Sequence, residues 1–97
     1  MKSNEIKQKI LLEKWNNELI ENILLSNKDD IFILALKNQN CPVDLILDLW
    51  QAINPKVRYL ICSHCNTPKS ILIEISENDP IKDIREKAGK ELIKRGI

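Results

Sequence analysis

Apolar residues recur at intervals of three and four positions through most of the chain, and polar residues fill the positions between them. This spacing places the apolar side chains on one face of a helix, whereas a half-buried strand alternates with a period of two. With only two glycines, the chain also lacks the turn residues of a hairpin-rich sheet. The pattern predicts an all-α protein with helices at 3–14, 17–25, 30–38, 42–53, 55–64, 68–77 and 80–95.

The apolar residues at the recurring positions are predicted to be buried, because each set shares the inward face of its helix. In the N-terminal part of the chain they are Ile6, Ile10, Leu11, Leu19, Ile20, Ile23, Leu24, Ile31, Leu34 and Ala35. In the remainder they are Leu45, Ile46, Leu49, Ile53, Val57, Leu60, Ile61, Ile71, Leu72, Ile75, Ile81, Ile84, Ala88 and Leu92.

All four prolines are predicted to occupy the first position of a helix, where the missing amide hydrogen removes no intrahelical bond. The residues that precede the prolines are then the N-caps, namely Cys41, Asn54, Thr67 and Asp79. Asn, Thr and Asp accept hydrogen bonds well at this position, and Cys does so weakly. The prolines thus mark the predicted starts of four helices.

A shift of 26 positions brings similar residues into register, which indicates an internal repeat. The shift aligns Asn40 with Asn66, Pro42 with Pro68, and the apolar residues at 31, 34 and 35 with those at 57, 60 and 61. Such self-similarity is typical of solenoids, in which each unit buries its apolar face against its neighbour. We predict a single domain over 1–97, a right-handed α-solenoid with a cap helix at 3–14, two-helix repeats at 17–38, 42–64 and 68–92, and a C-terminal cap helix.

The best-defined unit combines Val57-Arg58-Tyr59-Leu60-Ile61 with His64, Asn66-Thr67-Pro68, Ile71-Leu72, Ile75, Asp79 and Ile84-Arg85. This unit resembles the leucine-rich repeat variant and, more broadly, the HEAT and armadillo class of α-solenoids. The resemblance implies a superhelical interaction scaffold without catalytic activity, in which the first helix of each pair is partly 3₁₀. Arg58 and Arg85 occupy the arginine position of the repeat, and we expect Arg85 to pair with an acidic neighbour such as Asp79.

Charge and hydropathy argue against two classes of function, nucleic-acid binding and membrane insertion. Fifteen basic and 14 acidic residues leave a net charge of +1, so the chain lacks the excess of basic residues that marks many nucleic-acid-binding proteins. The longest apolar run, at 31–36, is too short for a membrane span, and the polar N-terminus lacks the apolar core of a signal peptide. We therefore predict a cytoplasmic protein with no membrane partner, whose three cysteines are reduced thiols.

Cys62, His64 and Cys65, with Cys41 one repeat earlier, form the one grouping of metal-ligand residue types in the sequence. These residue types can bind zinc, but structural zinc sites usually use two separated ligand pairs. A redox Cys-x-x-Cys motif requires its thiol at a helix N-terminus rather than near a C-terminus. We interpret Cys62 as an apolar core residue and His64 as a polar group at a helix end. No metal, other cofactor or catalytic residue is predicted, since no nucleophile, base and orienting group occur together.

Three apolar residues that the core does not use share one predicted surface. Leu47 and Ile73 occupy the same repeat position, and Trp50 follows Leu47 by one helical turn. Equivalent positions line up along a solenoid, so these residues form either a binding stripe or part of wide helix contacts. We predict a protein-binding scaffold or small regulatory adaptor whose partner contacts Asp44, Leu47, Asp48, Trp50, Gln51, Ile73, Glu74 and Glu77.

Two alternative functions are compatible with the sequence. One is nucleic-acid binding by a basic concave face, with phosphates contacted by Lys56, Arg58, Lys69, Lys82 and Arg85. The other is a cysteine-based metal module. Because an open apolar stripe can also pair with its own copy, the protein is predicted to be either a monomer or a homodimer.

Overall fold

The computed structural model describes residues 1–96, and every regular element within them is an α-helix. The helices are α1 (Ser3–Leu11), α2 (Asn17–Ser26), α3 (Asp29–Lys37), α4 (Val43–Leu49), α5 (Pro55–Ser63), α6 (Lys69–Asn78) and α7 (Lys82–Lys94). Neither a strand nor a 3₁₀ segment occurs among these residues. The predicted all-α class is therefore confirmed.

The odd-numbered helices pack side by side in the order α1, α3, α5 and α7. Of the even-numbered helices, α2 packs against α1 and α3, α4 against α5, and α6 against α7. The Cα atoms span 37 × 24 × 16 Å, and the shortest dimension accommodates two layers of helices at the usual interaxial distance of about 8–10 Å. The odd-numbered row is thus covered by the even-numbered helices.

Short loops connect successive helices, so the loops fall alternately on two opposite edges of the molecule. The loops that follow α1, α3 and α5, at 12–16, 38–42 and 64–68, form what we name the ladder edge. The loops that follow α2, α4 and α6, at 27–28, 50–54 and 79–81, form the groove edge. These two edges differ in structure.

One contiguous apolar cluster includes residues from all seven helices, and most of the predicted core residues lie in it or pack against it. Three predictions are wrong: the exposed fractions of Leu11, Ile53 and Ile81 are 68%, 96% and 38%. Leu11 is the last residue of α1, and the other two lie in loops because α4 ends at Leu49 and α7 begins at Lys82. The helices are shorter than the apolar pattern predicts, and these side chains leave the inward face.

The proline prediction is confirmed for Pro55, which is the first residue of α5, and is wrong for the other three. Pro42 and Pro68 are the N-cap residues of α4 and α6, with extended ψ angles of 147° and 148°. Pro80 lies two residues before α7. The fixed φ of proline, near −65°, is compatible with an extended N-cap as well as with the first helical turn.

Two of the four predicted capping side chains accept a backbone hydrogen bond. The Asn54 side chain accepts from the Lys56 amide at 2.9 Å, and Asp79 Oδ1 accepts from the Ile81 amide at 2.9 Å. Thr67 instead donates its hydroxyl hydrogen to the Ile61 carbonyl at 2.6 Å, so it closes the preceding helix rather than opening the next. The Cys41 side chain is not a cap of α4.

Hydrogen bonds join successive loops of the ladder edge. His64 Nε2 lies 2.8 Å from the Asn38 carbonyl oxygen, 26 residues earlier in the chain. Asn66 Nδ2 donates to the carbonyl oxygens of Gln39 and Cys41 at 3.2 and 3.0 Å. The side chains of one loop therefore bind the backbone of the loop before it.

The two loops also share the same internal hydrogen bond. The Asn40 amide donates to Asn38 Oδ1 at 2.9 Å, and the Asn66 amide donates to His64 Nδ1 at 3.0 Å. Because Nδ1 of His64 is an acceptor, the ring hydrogen is on Nε2, which donates to the Asn38 carbonyl. The 26-residue periodicity read from the sequence thus recurs in the hydrogen bonds of this edge.

The Arg95 guanidinium, just beyond α7, extends the same series. Its Nη1 donates to the Thr67 carbonyl at 2.6 Å and its Nη2 to the His64 carbonyl at 2.9 Å. These carbonyls lie 26 residues after those of Cys41 and Asn38, which accept from the preceding set of side chains. One arginine therefore supplies the donors that His64 and an asparagine side chain supply one loop earlier.

At the opposite end of the series, the Glu13 carboxylate is the acceptor. It accepts from Asn40 Nδ2 at 2.6 Å and from Asn38 Nδ2 at 3.4 Å. Glu13 has a φ of 55°, a left-handed backbone conformation that residues other than glycine adopt rarely. A strained residue with an ionic side chain therefore holds the first loop of the ladder edge to the second.

Candidate interaction surface

Two open grooves lie between the even-numbered helices at the groove edge. One, with a volume of about 740 Å³, lies between α2 and α4, and the other, of about 540 Å³, lies between the loop that follows α4 and the C-terminal half of α6. Residues 51–53 of the loop between α4 and α5 line both grooves and form the ridge between them. We name them the α2/α4 groove and the α4/α6 groove.

Each groove combines apolar walls with an exposed carboxylate. Asp48 lines the α2/α4 groove and Glu74 lines the α4/α6 groove, and both residues are exposed. The apolar lining residues are Leu24, Phe32 and Leu49 in the first groove and Trp50, Ala52 and Ile75 in the second. This combination can accommodate an apolar side chain and a neighbouring positive charge.

The structure distributes the predicted partner-binding residues over α4, the loop that follows it, and α6. Four of the eight line a groove, and the others lie elsewhere on the same helices. The α4/α6 groove is lined by Trp50, Gln51 and Glu74, and the α2/α4 groove is lined by Asp48 and Gln51. Neither groove is lined by Asp44, Leu47, Ile73 or Glu77.

The predicted apolar stripe is only partly open. Leu47 is 45% exposed, whereas Trp50 and Ile73 are half-buried, and Trp50 packs against the core. The two alternatives for these residues were an exposed binding stripe and burial in wide helix contacts, and the structure shows some of each. Leu47 faces solvent, whereas Trp50 contributes to helix packing as well as to a groove wall.

Ile53 is an exposed residue that the apolar pattern assigns to the core. It was predicted to be core, but it is 96% exposed on the ridge between the two grooves. A usable signal was present, because α5 begins at Pro55 with Asn54 as its cap, and two antiparallel helices need a connecting loop of about 2–5 residues. The residues before Asn54 therefore had to lie outside α4.

A buried ion pair fixes the ridge. Arg58 Nε donates to Asp79 Oδ2 at 2.8 Å, and the two side chains are only 12% and 3% exposed. Nη1 of the same arginine donates to the carbonyl oxygens of Ala52 and Ile53 at 2.7 and 2.8 Å. Arg58 thus holds the backbone of the ridge against the loop between α6 and α7.

The expected pairing of Arg85 with the Asp79 carboxylate is wrong. Arg85 Nη1 donates instead to the Asp79 backbone carbonyl at 2.6 Å. The carboxylate is already engaged, because Oδ2 accepts from Arg58 and Oδ1 accepts from the Ile81 amide. Both arginines bind a carbonyl six residues earlier in the chain, so they make equivalent contacts with the backbone.

The cysteines differ in their access to solvent. Cys41 and Cys62 are fully buried and Cys65 is exposed. Burial raises the pKa of Cys41 to about 12, and burial together with the negative charge of Asp79 raises the pKa of Cys62 to about 11. Both buried side chains are therefore neutral thiols at pH 7, and Cys62 lies in the core as interpreted from the sequence.

The metal-ligand residue types are not arranged as a metal site. The two ring nitrogens of His64 are hydrogen-bonded to the backbone of Asn38 and Asn66. Within residues 1–96, no three or more His, Cys, Asp or Glu side chains are placed to hold a metal ion. A metal at His64 would have to break a hydrogen bond of the ladder edge.

The basic residues of the nucleic-acid hypothesis are also largely engaged. The Arg58 and Arg85 guanidinium groups bind acceptors of the protein itself, and Lys82 Nζ lies 3.7 Å from Glu86 Oε1. Lys56 and Lys69 are exposed, on α5 and α6. The two arginines thus hold loops in place rather than presenting a free guanidinium to a phosphate.

Comparison of the chain with models of protein families, with curated proteins and with solved structures found no match in any of the three. Among residues 1–96, the structure contains no helix with the length and apolar character needed to cross a membrane.

Proposed function

We propose that the chain is a short right-handed α-solenoid, similar to the leucine-rich repeat variant and HEAT-like classes, that acts as a non-catalytic protein-interaction module. The hydrogen bonds of the ladder edge support the solenoid, because loops 26 residues apart make the same contacts. In a solenoid, equivalent contacts between neighbouring units are what hold the units in register.

The single observation that carries the interaction function is the open groove edge. The two grooves lie side by side, and the ridge between them presents Ile53 almost completely to solvent. Leu47, on the adjacent α4, is also exposed. Aromatic and aliphatic side chains around a groove are typical anchors of protein interfaces, and the partner surface is Asp44, Leu47, Asp48, Trp50, Gln51, Ile73, Glu74 and Glu77 together with Ile53.

The test is affinity purification from the native cell with three forms of the protein. The wild type is compared with Ile53→Asp, on the ridge between the grooves, and with Ile93→Asp, a matched control on α7 whose side chain is 77% exposed. Circular dichroism first establishes that all three are folded. We expect a partner protein to be retained by the wild type and the control and lost from Ile53→Asp. Equal retention of every captured protein by all three forms would show that this face does not bind a partner.

A further inference from the structure

The charged residues are segregated between the two sets of helices, although the net charge of the chain is only +1. The three even-numbered helices carry one basic residue, Lys69, and six acidic residues. The four odd-numbered helices carry ten basic and six acidic residues. The acidic residues of the even-numbered helices are all exposed, and they are Glu18, Glu21, Asp44, Asp48, Glu74 and Glu77.

These six carboxylates are not neutralised within the described part of the chain. The ion pairs of residues 1–96 are Lys7–Asp30, Arg58–Asp79, Lys82–Glu86 and Arg95–Glu91. None of these pairs includes a carboxylate of α2, α4 or α6. The helices that border the grooves therefore present a negative potential, and carboxylates of the same sign repel one another across this surface.

The negative charge lies beside apolar surface that is open to a ligand. Asp48 and Glu74 are lining residues of the two grooves, and Ile53 stands on the ridge between them. Charge complementarity across an interface selects a partner of opposite sign and raises the rate of association. An apolar anchor beside that charge favours an amphipathic segment over a uniformly charged one.

We propose that the occupant of the groove edge is a basic amphipathic segment of a partner protein. Its apolar side chains pack on Ile53 and into the α4/α6 groove beside Trp50, and its Lys or Arg side chains pair with Asp48 and Glu74. This inference rests on the proposed interaction function and adds the chemistry of the partner. Nucleic acid is disfavoured as the occupant of this face, because its phosphates carry the same sign of charge as the six carboxylates.

The test uses two synthetic helical peptides of 18 residues with the same Leu and Ile face, one with lysines and the other with glutamates on the polar face. Binding to the full chain is measured by titration calorimetry and by Trp50 fluorescence in a Trp15→Phe background. The Trp15 indole nitrogen is buried without a hydrogen-bond partner, so this substitution removes no hydrogen bond. We expect the lysine peptide to bind at least about tenfold more tightly than the glutamate peptide, and its affinity to fall as salt rises.

Two pairs of variants locate the site. Asp48→Lys with Glu74→Lys reverses two charges at the grooves, and Asp83→Lys with Glu86→Lys makes the same change in net charge on α7. We expect the first pair to weaken binding of the lysine peptide at least about tenfold and the second less than twofold. Ile53→Ser is expected to weaken binding about fivefold, whereas Ile93→Ser, at a comparably exposed position, leaves it unchanged.

Several results would overturn the inference. They are no binding of the lysine peptide, equal binding of the two peptides, equal effects of the two charge-reversal pairs, and a protein that sediments as a dimer held together through the groove edge. A partner lost from Ile53→Asp but retained by Asp48→Lys with Glu74→Lys would preserve the interaction module and disprove the basic segment. The two proposals therefore fail in distinguishable ways.

Discussion

The loops of the ladder edge and those of the groove edge differ in burial and in hydrogen bonding. At the ladder edge, His64, Thr67 and Cys41 are buried, and side chains of the 64–68 loop bind the backbone of the 38–42 loop. At the groove edge, one loop exposes Ile53 almost completely, and open grooves lie on both sides of it. The most exposed large apolar side chain of the connecting loops is thus found at the groove edge rather than at the ladder edge.

The difference between the edges is not a difference between order and disorder. The ridge at the groove edge is held by Arg58, which binds two of its carbonyls and the Asp79 carboxylate. Because the backbone of the ridge is already held, a partner that covers Ile53 has to order only the side chain, and such preorganisation favours binding. The groove edge therefore combines solvent access with a defined shape.

Among the side chains of the two edges, the largest expected effect comes from Arg95→Ala, which breaks the C-terminal end of the ladder edge. The Arg95 side chain is 23% exposed and donates to the carbonyls of Thr67 and His64. Hydrogen bonds from a charged donor contribute about 1.5–3 kcal/mol, so we expect the free energy of unfolding to fall by about 2 kcal/mol. Urea denaturation followed by circular dichroism measures the change.

Lys94→Ala is the matched control, because Lys94 is exposed in the last turn of α7 and makes no ion pair within residues 1–96. Its expected effect is within about 0.5 kcal/mol. If Arg95→Ala and Lys94→Ala changed stability equally, the guanidinium contacts would contribute nothing to the fold beyond the packing of α7.

A smaller effect is expected from the buried Cys41 thiol of the ladder edge, and it appears only at alkaline pH. The pKa of this thiol rises from 9.0 to about 12 on folding because of burial. Below pH 9 the thiol is protonated in both states. Above pH 9 the unfolded chain releases the proton and the folded chain retains it, so stability falls by up to about 1.4 kcal/mol per pH unit as the pH approaches 12.

The measurement compares the wild type with Cys41→Ala by urea denaturation at pH 8 and at pH 10. The wild type should lose about 1.4 kcal/mol more than the variant between these values, because the variant has no thiol at this position to ionise. Cys65→Ala is measured as the cysteine control, because it removes an exposed thiol and keeps Cys41. Equal losses in all three proteins would mean that Cys41 ionises as readily in the folded chain as in the unfolded one.

Local pattern was sufficient to predict the helices, because the apolar spacing and the Asn54-Pro55 start of α5 depend on residues close in sequence. Helix ends were harder to predict, since an apolar residue at the right spacing can belong to the loop beyond the helix. Ile53 fits the spacing of α4 but follows its last residue, Leu49. The 26-residue register correctly aligned Asn40 with Asn66, and their amides make equivalent hydrogen bonds.

The partners of the long polar side chains were not predictable from the sequence. Arg58 and Arg85 each bind a carbonyl six residues earlier, yet only Arg58 binds the Asp79 carboxylate. This choice depends on how α5 lies against the loop after α6, and Asp79 is 21 residues from Arg58 in sequence. The role of Arg95 could not be predicted either. Its guanidinium makes the contacts with two carbonyls that, one loop earlier, are made by two different side chains. The acidic residues were visible in the sequence, but their segregation to one set of helices required knowing how the helices pack.

The smallest expected effect on stability is that of Ile53→Ser at the groove edge. A side chain that is 96% exposed buries almost no area on folding, so its removal should change the free energy of unfolding by less than about 0.5 kcal/mol. Ile46→Ala, at a fully buried position of α4, should instead cost about 2–5 kcal/mol. Parallel urea denaturation of the two variants measures the contrast, and a loss above 1 kcal/mol for Ile53→Ser would mean that Ile53 packs in the folded chain. Because this substitution leaves the fold intact, any fall in peptide affinity that it causes is an effect at the binding surface itself.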